Sequence, residues 1–206
     1  MQRGRLITVE GVDGAGKSTL ATALCAAIGG GGSDVRLLRE PGGVEVAERI
    51  RDLVKDPALD VAPATEALLY AAARAQLVAQ LLEPLLSGGV SVVLDRFVDS
   101  SLAYQGAGRE LGVATVRTVN ELATGGLEAD RTLLLRITPE TARARQDARA
   151  LLPDRLEREN ELFFARVAEA YDELARAEPG RIRVIDADRD PQTVLNAALQ
   201  AVSDLF

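Results

Sequence analysis

The most informative residues run from Gly11 to Ser18 and read Gly-Val-Asp-Gly-Ala-Gly-Lys-Ser. They match the pattern G-x-x-x-x-G-K-[ST] at every required position. Glycines in this pattern let successive backbone N–H groups point at the phosphates of a nucleotide. Lys17 is expected to reach the β- and γ-phosphates, and the Ser18 hydroxyl is expected to bind Mg²⁺. The residues assigned to the nucleotide are Gly11, Val12, Asp13, Gly14, Ala15, Gly16, Lys17, Ser18 and Thr19.

The phosphate loop alone does not separate a kinase from a GTPase, a motor or an ATPase, so other charged residues matter. A GTPase needs the guanine motif N-K-x-D, and the only other lysine, Lys55, lies between Val54 and Asp56. A small-molecule kinase needs a second anion site and cations that neutralise the phosphoryl group in transfer. Arg39 ends one predicted strand and Arg96 lies just beyond another, at the strand ends where parallel sheets bind ligands. This placement favours a kinase.

The composition excludes several kinds of chemistry. The chain has 206 residues, 24 Lys plus Arg, 31 Asp plus Glu, one Cys and no His. Without His there is no Ser-His-Asp machinery and no His-ligated metal, and one Cys forms no intrachain disulfide. The net charge of −7 argues against nucleic acid as a partner, since polyphosphate binding needs a basic surface. No apolar run approaches the ~20 residues of a membrane span. We therefore expect a cytoplasmic protein with no membrane partner.

Short apolar strands alternate with helical stretches along the whole chain. Strands are predicted over 6–9, 35–39, 90–94, 132–137 and 182–185. Helices are predicted over 19–28, 44–54, 63–86, 100–105, 113–124, 159–177 and 191–205, and a further helix opens at Pro139 and enters the Arg-rich stretch 143–158. This alternation predicts an α/β fold with a parallel, doubly wound sheet, and no linker divides residues 1–206 into two domains.

An ordered set of further motifs resembles the thymidylate kinase family over nearly the whole chain. The motifs are EGVDGAGKST at 10–19, REPGG at 39–43, YAAAR at 70–74, DRF at 95–97, DSSLAYQG at 99–106 and DRLE at 154–157. The resemblance implies transfer of the γ-phosphoryl group of ATP to dTMP with Mg²⁺, which gives dTDP for dTTP synthesis. It implies a three-layer P-loop kinase fold whose five parallel strands have the order 2-3-1-4-5. It also implies a homodimer and a short Arg-rich lid at about 145–157.

The resemblance assigns a first group of residues to the acceptor phosphate and sugar. Asp13 is expected at the 3′-hydroxyl end of dTMP, where a carboxylate accepts a hydrogen bond. Arg39, Arg51 and Arg96 match arginines clustered at the acceptor phosphate, whose oxygens an Arg fork holds bidentately. Arg49 shares a helix with Arg51, and one of these two is expected to lie only on a solvated face. Glu40 matches an acidic residue near the sugar.

A second group is assigned to the base. Tyr70 and Arg74 are four residues apart on a predicted helix and share a face. The family places an aromatic ring, usually Phe, on thymine at the position of Tyr70, and a base-binding Arg at the position of Arg74. Ser101, Tyr104 and Gln105 match residues that line the base and sugar. The bulk of Tyr104 is expected to leave no room for a 2′-hydroxyl.

The remaining assignments concern the metal and the lid. Asp95 ends a strand opposite the phosphate loop, where it is expected to hold Mg²⁺ through water and to brace Arg96. The family supplies the transition-state cation either from the P-loop position of Gly14 or from the lid, and this chain follows the second pattern. Arg149 is the first choice for that cation and Arg145 the second, and Arg145 is also expected near adenine. The predicted catalytic residues are Asp13, Lys17, Arg96 and Arg149.

Other functions stay open at this point. The chain is alternatively a kinase for another nucleoside monophosphate or a deoxynucleoside, in which case its acceptor preference differs. A catalytically silent nucleotide-binding module is disfavoured by the intact Lys17, Ser18, Asp95 and Arg96. A dedicated ATPase would hydrolyse ATP without any acceptor.

Overall fold

Five parallel strands form the central sheet of the computed structural model, which describes residues 3–148 and 154–206. The strands are β1 (Leu6–Glu10), β2 (Val35–Arg39), β3 (Ser91–Asp95), β4 (Arg131–Arg136) and β5 (Ile182–Asp186). Their order is β2-β3-β1-β4-β5, and each neighbouring pair is parallel. The predicted fold class and strand order are therefore confirmed.

Helices connect the strands and cover both faces of the sheet. They are α1 (Lys17–Gly30), α2 (Glu45–Lys55), α3 (Pro63–Leu77), α4 (Glu83–Ser87), α5 (Val98–Ser101), α6 (Val113–Thr124), α7 (Pro139–Asp147), α8 (Glu161–Ala177) and α9 (Pro191–Val202). Side-chain alternation along β1 explains the three layers. Ile7 packs in a core with Leu24 of α1 and Ala198 of α9. Its neighbour Leu6 packs in a separate core with Leu77 of α3, because successive strand side chains point to opposite faces.

The predicted uninterrupted helix 63–86 is wrong at its centre. A π-helical segment, Val78–Leu82, separates α3 from α4, and the Glu83 N–H reaches back to the Val78 carbonyl. Pro84 follows at the start of α4. Proline has no N–H and crowds the preceding turn, so the α-helical hydrogen-bond pattern cannot continue through this point and the turn widens.

The predicted helix 100–105 also differs in detail. The structure has α5 at Val98–Ser101 and then a second π-helical segment, Leu102–Gly108. The Arg109 N–H closes this segment by donating to the Tyr104 carbonyl. The wider turn changes the direction of the side chains from Tyr104 onward relative to an α-helix, and such turns are frequent at functional sites.

The sheet register brings the chemically important strand ends together. Val9 of β1 and Arg39 of β2 both lie beside Asp95 of β3. Because the strands are parallel, their carboxyl ends share one edge of the sheet, and the phosphate loop leaves β1 at that edge. No described helix is both long enough and apolar enough to cross a membrane.

Truncation of buried and exposed leucines on the same helix should separate core packing from helix propensity. Leu174 of α8 is 6% exposed within a core, whereas Leu162 of the same helix is 59% exposed. Leu174→Ala should lower the free energy of unfolding by about 2–5 kcal/mol. Leu162→Ala should change it by less than about 0.5 kcal/mol. Urea unfolding of both variants checks this expectation, and equal losses would contradict the assignment of Leu174 to the core.

Candidate active site

One pocket at the carboxyl edge of the sheet collects the predicted donor and acceptor residues. It lies between the phosphate loop, the loop after β2, helices α2 and α3, and the chain from the end of β3 to the second π-helical segment. The predicted residues that line it are Asp13, Gly14, Gly16, Lys17, Ser18, Arg39, Glu40, Arg51, Tyr70, Arg74, Asp95, Arg96, Ser101, Tyr104 and Gln105.

The phosphate loop shows the conformation that its glycines predicted. Gly14 and Gly16 both have positive φ, at 86° and 93°, which glycine adopts without a steric cost. A β-carbon on Gly14 would lie 3.1 Å from the Cα of Ala142 in α7, so the loop and this helix are in close contact. Lys17 is buried, and its Nζ donates to the Val12 carbonyl at 2.8 Å. Burial and the neighbouring Arg96 lower the pKa of Lys17 to about 8.

The Ser18 and Asp95 side chains meet at the mouth of this loop. The Ser18 hydroxyl donates to Asp95 Oδ2 at 2.5 Å. A hydroxyl and a carboxylate oxygen side by side form the kind of oxygen set that binds Mg²⁺ together with water and substrate phosphates. The described residues contain no cluster of three or more acidic or sulfur ligands. The pair therefore fits a magnesium ion that is held mainly by a nucleotide.

Arg96 links the phosphate loop to the acceptor side of the pocket. Its φ is 71°, in the left-handed region that is unusual for a residue other than glycine. Its guanidinium donates to Asp13 Oδ1 at 2.5 Å, to the Gly11 carbonyl at 3.2 Å and to Ser100 Oγ at 3.1 Å. It also lies over the Tyr104 ring, 5.1 Å from the ring centroid. The predicted catalytic pair Asp13 and Arg96 is thus in direct contact.

Asp13 is held as a carboxylate by its surroundings. Burial alone would raise its pKa, but the positive charges of Arg96 and Lys17 outweigh burial and hold that pKa well below its usual range. The Tyr104 hydroxyl donates to Asp13 Oδ2 at 3.1 Å. Asp13 therefore presents a hydrogen-bond acceptor at the junction of the phosphate loop and the acceptor pocket.

Glu10 is buried behind this junction and accepts hydrogen bonds from the residues around it, a role that the sequence did not reveal. Its Oε1 accepts from the Phe97 N–H at 2.7 Å, and its Oε2 accepts from Ser100 at 2.5 Å and from Tyr171 at 3.1 Å. Burial, followed by the nearby charge of Asp99, raises the pKa of Glu10 to about 7. No local pattern marks this role, because Phe97 lies 87 positions along the chain.

Two arginines that line the pocket converge on one backbone carbonyl in the loop after β2. Arg39 and Arg51 donate to the Pro41 carbonyl at 2.8 Å and 3.0 Å, and Arg39 also pairs with Glu48 at 2.9 Å. Arg49 instead pairs with Glu45 on the exposed face of α2. Of the two arginines that share α2, the structure therefore places Arg51 in the pocket.

The far end of the pocket is organised around Arg74. This side chain is 2% exposed, and its Nε donates to Glu40 Oε2 at 2.8 Å. Its other donors go to Ser101 at 2.9 Å, to the Phe97 carbonyl at 2.9 Å and to Asn120. The Arg74 guanidinium is therefore held in one orientation by these hydrogen bonds where it lines the pocket.

Glu40 and Asn120 complete the surroundings of Arg74. Glu40 Oε1 is buried and has no hydrogen-bond partner within the described part of the chain. Burial outweighs the favourable charge of Arg74 and raises the pKa of Glu40. The role of Asn120 was missed because this residue lies on α6, 46 positions from Arg74. Other lining residues that received no role from the sequence are Pro41, Lys55, Ser100, Asp154, Leu156 and Glu157.

A second pocket lies on the other side of the phosphate loop. It is lined by Gly14, Ala15, Gly16, Thr19, Leu20, Ala23, Leu135, Arg145, Ala187, Arg189, Pro191 and Val194. Arg145 crosses it and donates to the Ala187 carbonyl at 3.0 Å. This pocket therefore lies beside the phosphate loop, and Arg145 is one of the residues that line it. Arg149 lies outside the described residues.

Replacing Glu10 with Gln should flatten the pH dependence of stability. The groups that face Glu10 are Arg96, Asp99, Ser100, Tyr171 and the Phe97 backbone. Its pKa rises from 4.5 to about 7 on folding, so the stability it contributes is complete below the lower value and is lost as pH rises through the higher one. Urea unfolding should show that wild type loses more stability than Glu10→Gln between about pH 5 and about pH 8. Parallel profiles for the two proteins would contradict this linkage.

Comparison with known proteins agrees with this geometry. The family model "Thymidylate kinase" matches residues 9–198. The chain is 44% identical to a thymidylate kinase from Lactobacillus delbrueckii, over 99% of this chain and 98% of the relative. It is 45% identical to one from Deinococcus radiodurans, over 98% and 97%, and 46% identical to one from Rhizorhabdus wittichii, over 98% and 99%. The chain therefore belongs to the thymidylate kinase family.

Proposed function

We propose that this chain transfers the γ-phosphoryl group of ATP to dTMP, giving dTDP for dTTP synthesis. The observation that carries the proposal is one pocket in which a phosphate loop faces a cluster of arginines together with Tyr70 and Arg74 of α3, in a chain that belongs to the thymidylate kinase family. In this proposal residues 1–206 form one catalytic unit with a lid at about 145–157. Both substrates are cytoplasmic metabolites, so the reaction places the protein in the cytoplasm.

The donor side of the reaction depends on the phosphate loop. Its backbone N–H groups and the start of α1 face the phosphates of ATP, and Lys17 reaches the β- and γ-phosphates. The Lys17 Nζ already donates a hydrogen bond to the Val12 carbonyl and lies 3.7 Å from Asp13 Oδ1. The phosphates bring negative charge to a lysine whose pKa is about 8, and this charge favours its protonated form.

The acceptor side aligns dTMP without any covalent intermediate. Arg39, Arg51 and Arg96 hold the acceptor phosphate, whose oxygens replace the Pro41 carbonyl and carboxylate partners seen in the structure. Asp13 accepts a hydrogen bond from the sugar 3′-hydroxyl. Holding the two phosphates in line supplies most of the rate acceleration, together with cations that stabilise the transferred group.

The Ser18 and Asp95 pair would hold Mg²⁺, Asp95 through a water molecule. The ion, when bound, neutralises phosphate charge and orients the β- and γ-oxygens. The chain itself contributes the oxygen pair and keeps Asp95 beside Arg96, at the end of β3.

We assign the transition-state cation to the lid. A side chain at Gly14 would meet the α7 backbone at Ala142, which supports a loop without an arginine at this position. Arg149 is the proposed cation, and Arg145 lies against the nucleoside of ATP.

At the base end, the Tyr70 ring stacks on thymine. Arg74, held by Glu40 and Ser101, lines the part of the pocket that receives the base, and its positive charge faces the base carbonyl. Glu40 Oε1, which lacks a partner among the described residues, is a free acceptor in the same part of the pocket. Tyr104 lies against Arg96 and Asp13 under the sugar, and its bulk favours deoxyribose.

We also propose that the protein forms a homodimer through α2, α3 and α6. Helix α3 packs against both of the other two helices. These three helices carry the large exposed apolar side chains Val46, Leu53, Leu68 and Leu122. Exposed apolar side chains on neighbouring helices are typical of a protein interface, and a second copy of the chain offers the matching surface through a two-fold axis.

An acceptor profile tests the proposed reaction. With ATP and Mg²⁺, coupled ADP release should be fastest with dTMP when dTMP, dUMP, dCMP, dGMP and AMP are compared. Lys17→Ala should lower kcat by roughly 10²- to 10³-fold, because it removes a phosphate-stabilising cation. Preference for another monophosphate would support the alternative kinase assignment, and ADP release without any acceptor would support an ATPase. Unchanged turnover by Lys17→Ala would show that the activity comes from another protein.

The homodimer is tested by charge insertion on the proposed interface. Leu122, which is 87% exposed, becomes buried in the proposed dimer. Leu122→Glu should convert the protein from twice the chain mass to the chain mass in analytical ultracentrifugation, because an unpaired charge is costly to bury. Leu162→Glu, an exposed position on α8, is the matched control and should leave the dimer intact. A monomeric wild-type protein would refute the proposal.

A further inference from the structure

Glu66 is a buried carboxylate next to the acceptor pocket. It lies in the first turn of α3 and is fully inaccessible to solvent. Glu66, Tyr70 and Arg74 follow one another at intervals of four residues, so they share one face of this helix. Tyr70 and Arg74 line the pocket, and Glu66 stands directly behind it.

Two arginines and one carboxamide surround Glu66. Arg109 donates to both carboxylate oxygens, at 3.2 Å and 2.9 Å, and Arg155 pairs with Oε2 at 2.5 Å. The remaining contact comes from Gln105, whose Nε2 donates to Glu66 Oε1 at 2.9 Å. A carboxylate between two guanidinium groups only accepts hydrogen bonds.

This acceptor fixes the orientation of the Gln105 side chain. Rotating the carboxamide by half a turn would place its oxygen against the Glu66 carboxylate and lose the hydrogen bond. The NH₂ group must therefore face Glu66, and Oε1 is the atom left for the pocket. Within the described part of the chain, no hydrogen bond to Gln105 Oε1 is present, and Gln105 lines the acceptor pocket.

An acceptor held at this place distinguishes pyrimidine bases. Position N3 of thymine and uracil carries an N–H donor, whereas N3 of cytosine is an acceptor. A fixed oxygen pairs with the first and repels the second. A site that leaves a buried polar group unpaired rejects the wrong ligand strongly.

We propose that Glu66 is a positioning residue that sets the base specificity of the kinase, by holding Gln105 so that its oxygen accepts from N3–H. The inference rests on the proposed function, because it requires dTMP in this pocket. Glu66 itself touches no substrate and acts through Gln105. Two side chains that face the base are then held in one orientation before substrate binds. Glu66 holds Gln105, and Glu40 and Asn120 hold Arg74 in the same way.

The test compares specificity ratios in Glu66→Gln. A carboxamide at position 66 both donates and accepts, so Gln105 is free to turn its NH₂ group toward the base. The ratio of kcat/KM for dTMP to that for dCMP should fall by at least about tenfold, the effect of one hydrogen bond and one repulsion. The ratio of dTMP to dUMP should stay unchanged, since both bases carry N3–H. A purely structural role would lower all three rates by the same factor.

Glu159→Gln is the matched control. It removes the other partner of Arg109, at 2.6 Å, without touching Gln105, so it should keep the dTMP to dCMP ratio of wild type. If Glu66→Gln keeps the wild-type ratio of dTMP to dCMP, the inference is overturned. It is also overturned if Glu159→Gln lowers this ratio as much as Glu66→Gln does.

Gln105→Met keeps the test decisive if Glu66→Gln fails to fold. It removes the oxygen while Arg109 and Arg155 keep their pairs with Glu66, so the same loss of discrimination is expected. An unchanged ratio in this variant would overturn the inference. Wild-type protein without dTMP kinase activity would refute the proposed function instead, and the acceptor profile of wild type separates the two failures.

Discussion

The site depends on one backbone constraint, the left-handed conformation of Arg96 at the end of β3. A residue with a β-carbon pays about 1–2 kcal/mol in this conformation. Glu10 helps to offset that cost, since it accepts the next backbone N–H, from Phe97, and the Ser100 hydroxyl. The chain therefore turns sharply after Asp95. That turn leaves Asp95 beside Ser18 and Arg96 on Asp13, so one strand end contributes two neighbouring side chains to the pocket.

Charge pairing prepares the pocket for two anionic substrates in a chain of net charge −7. Five of the six described cations that line the pocket pair with carboxylates: Lys17 and Arg96 with Asp13, Arg39 with Glu48, Lys55 with Asp154, and Arg74 with Glu40, while Arg51 donates to the Pro41 carbonyl. These carboxylates keep the cations oriented and limit their repulsion. Phosphates replace existing partners instead of ordering free side chains, so less entropy is lost on binding.

Local patterns in the sequence were enough for the alternation of strands and helices and for the phosphate loop, whereas the strand order and most of the pocket residues were expected from the family resemblance. The glycines of the loop, the strand-end arginines and the four-residue spacing of Tyr70 and Arg74 each depend on neighbours in sequence. Glu10, Glu66 and Asn120 could not be found in this way, because their partners lie 87, 39 and 46 positions away. The choice between Arg49 and Arg51 likewise needed the packing of α2. The sequence did contain a signal for the π-helical segment before α4, because Pro84 has no N–H and removes one helical hydrogen bond.

The contact between Gly14 and Ala142 has an evolutionary consequence. A single substitution at position 14 meets the α7 backbone and a positive φ at once, so both space and conformation oppose any side chain. A lineage with this arrangement cannot acquire an arginine in its phosphate loop by one mutation and remain folded in the same way. It would first have to move α7. The absence of an arginine from the phosphate loop is therefore fixed by the backbone, and a change at one codon does not reverse it.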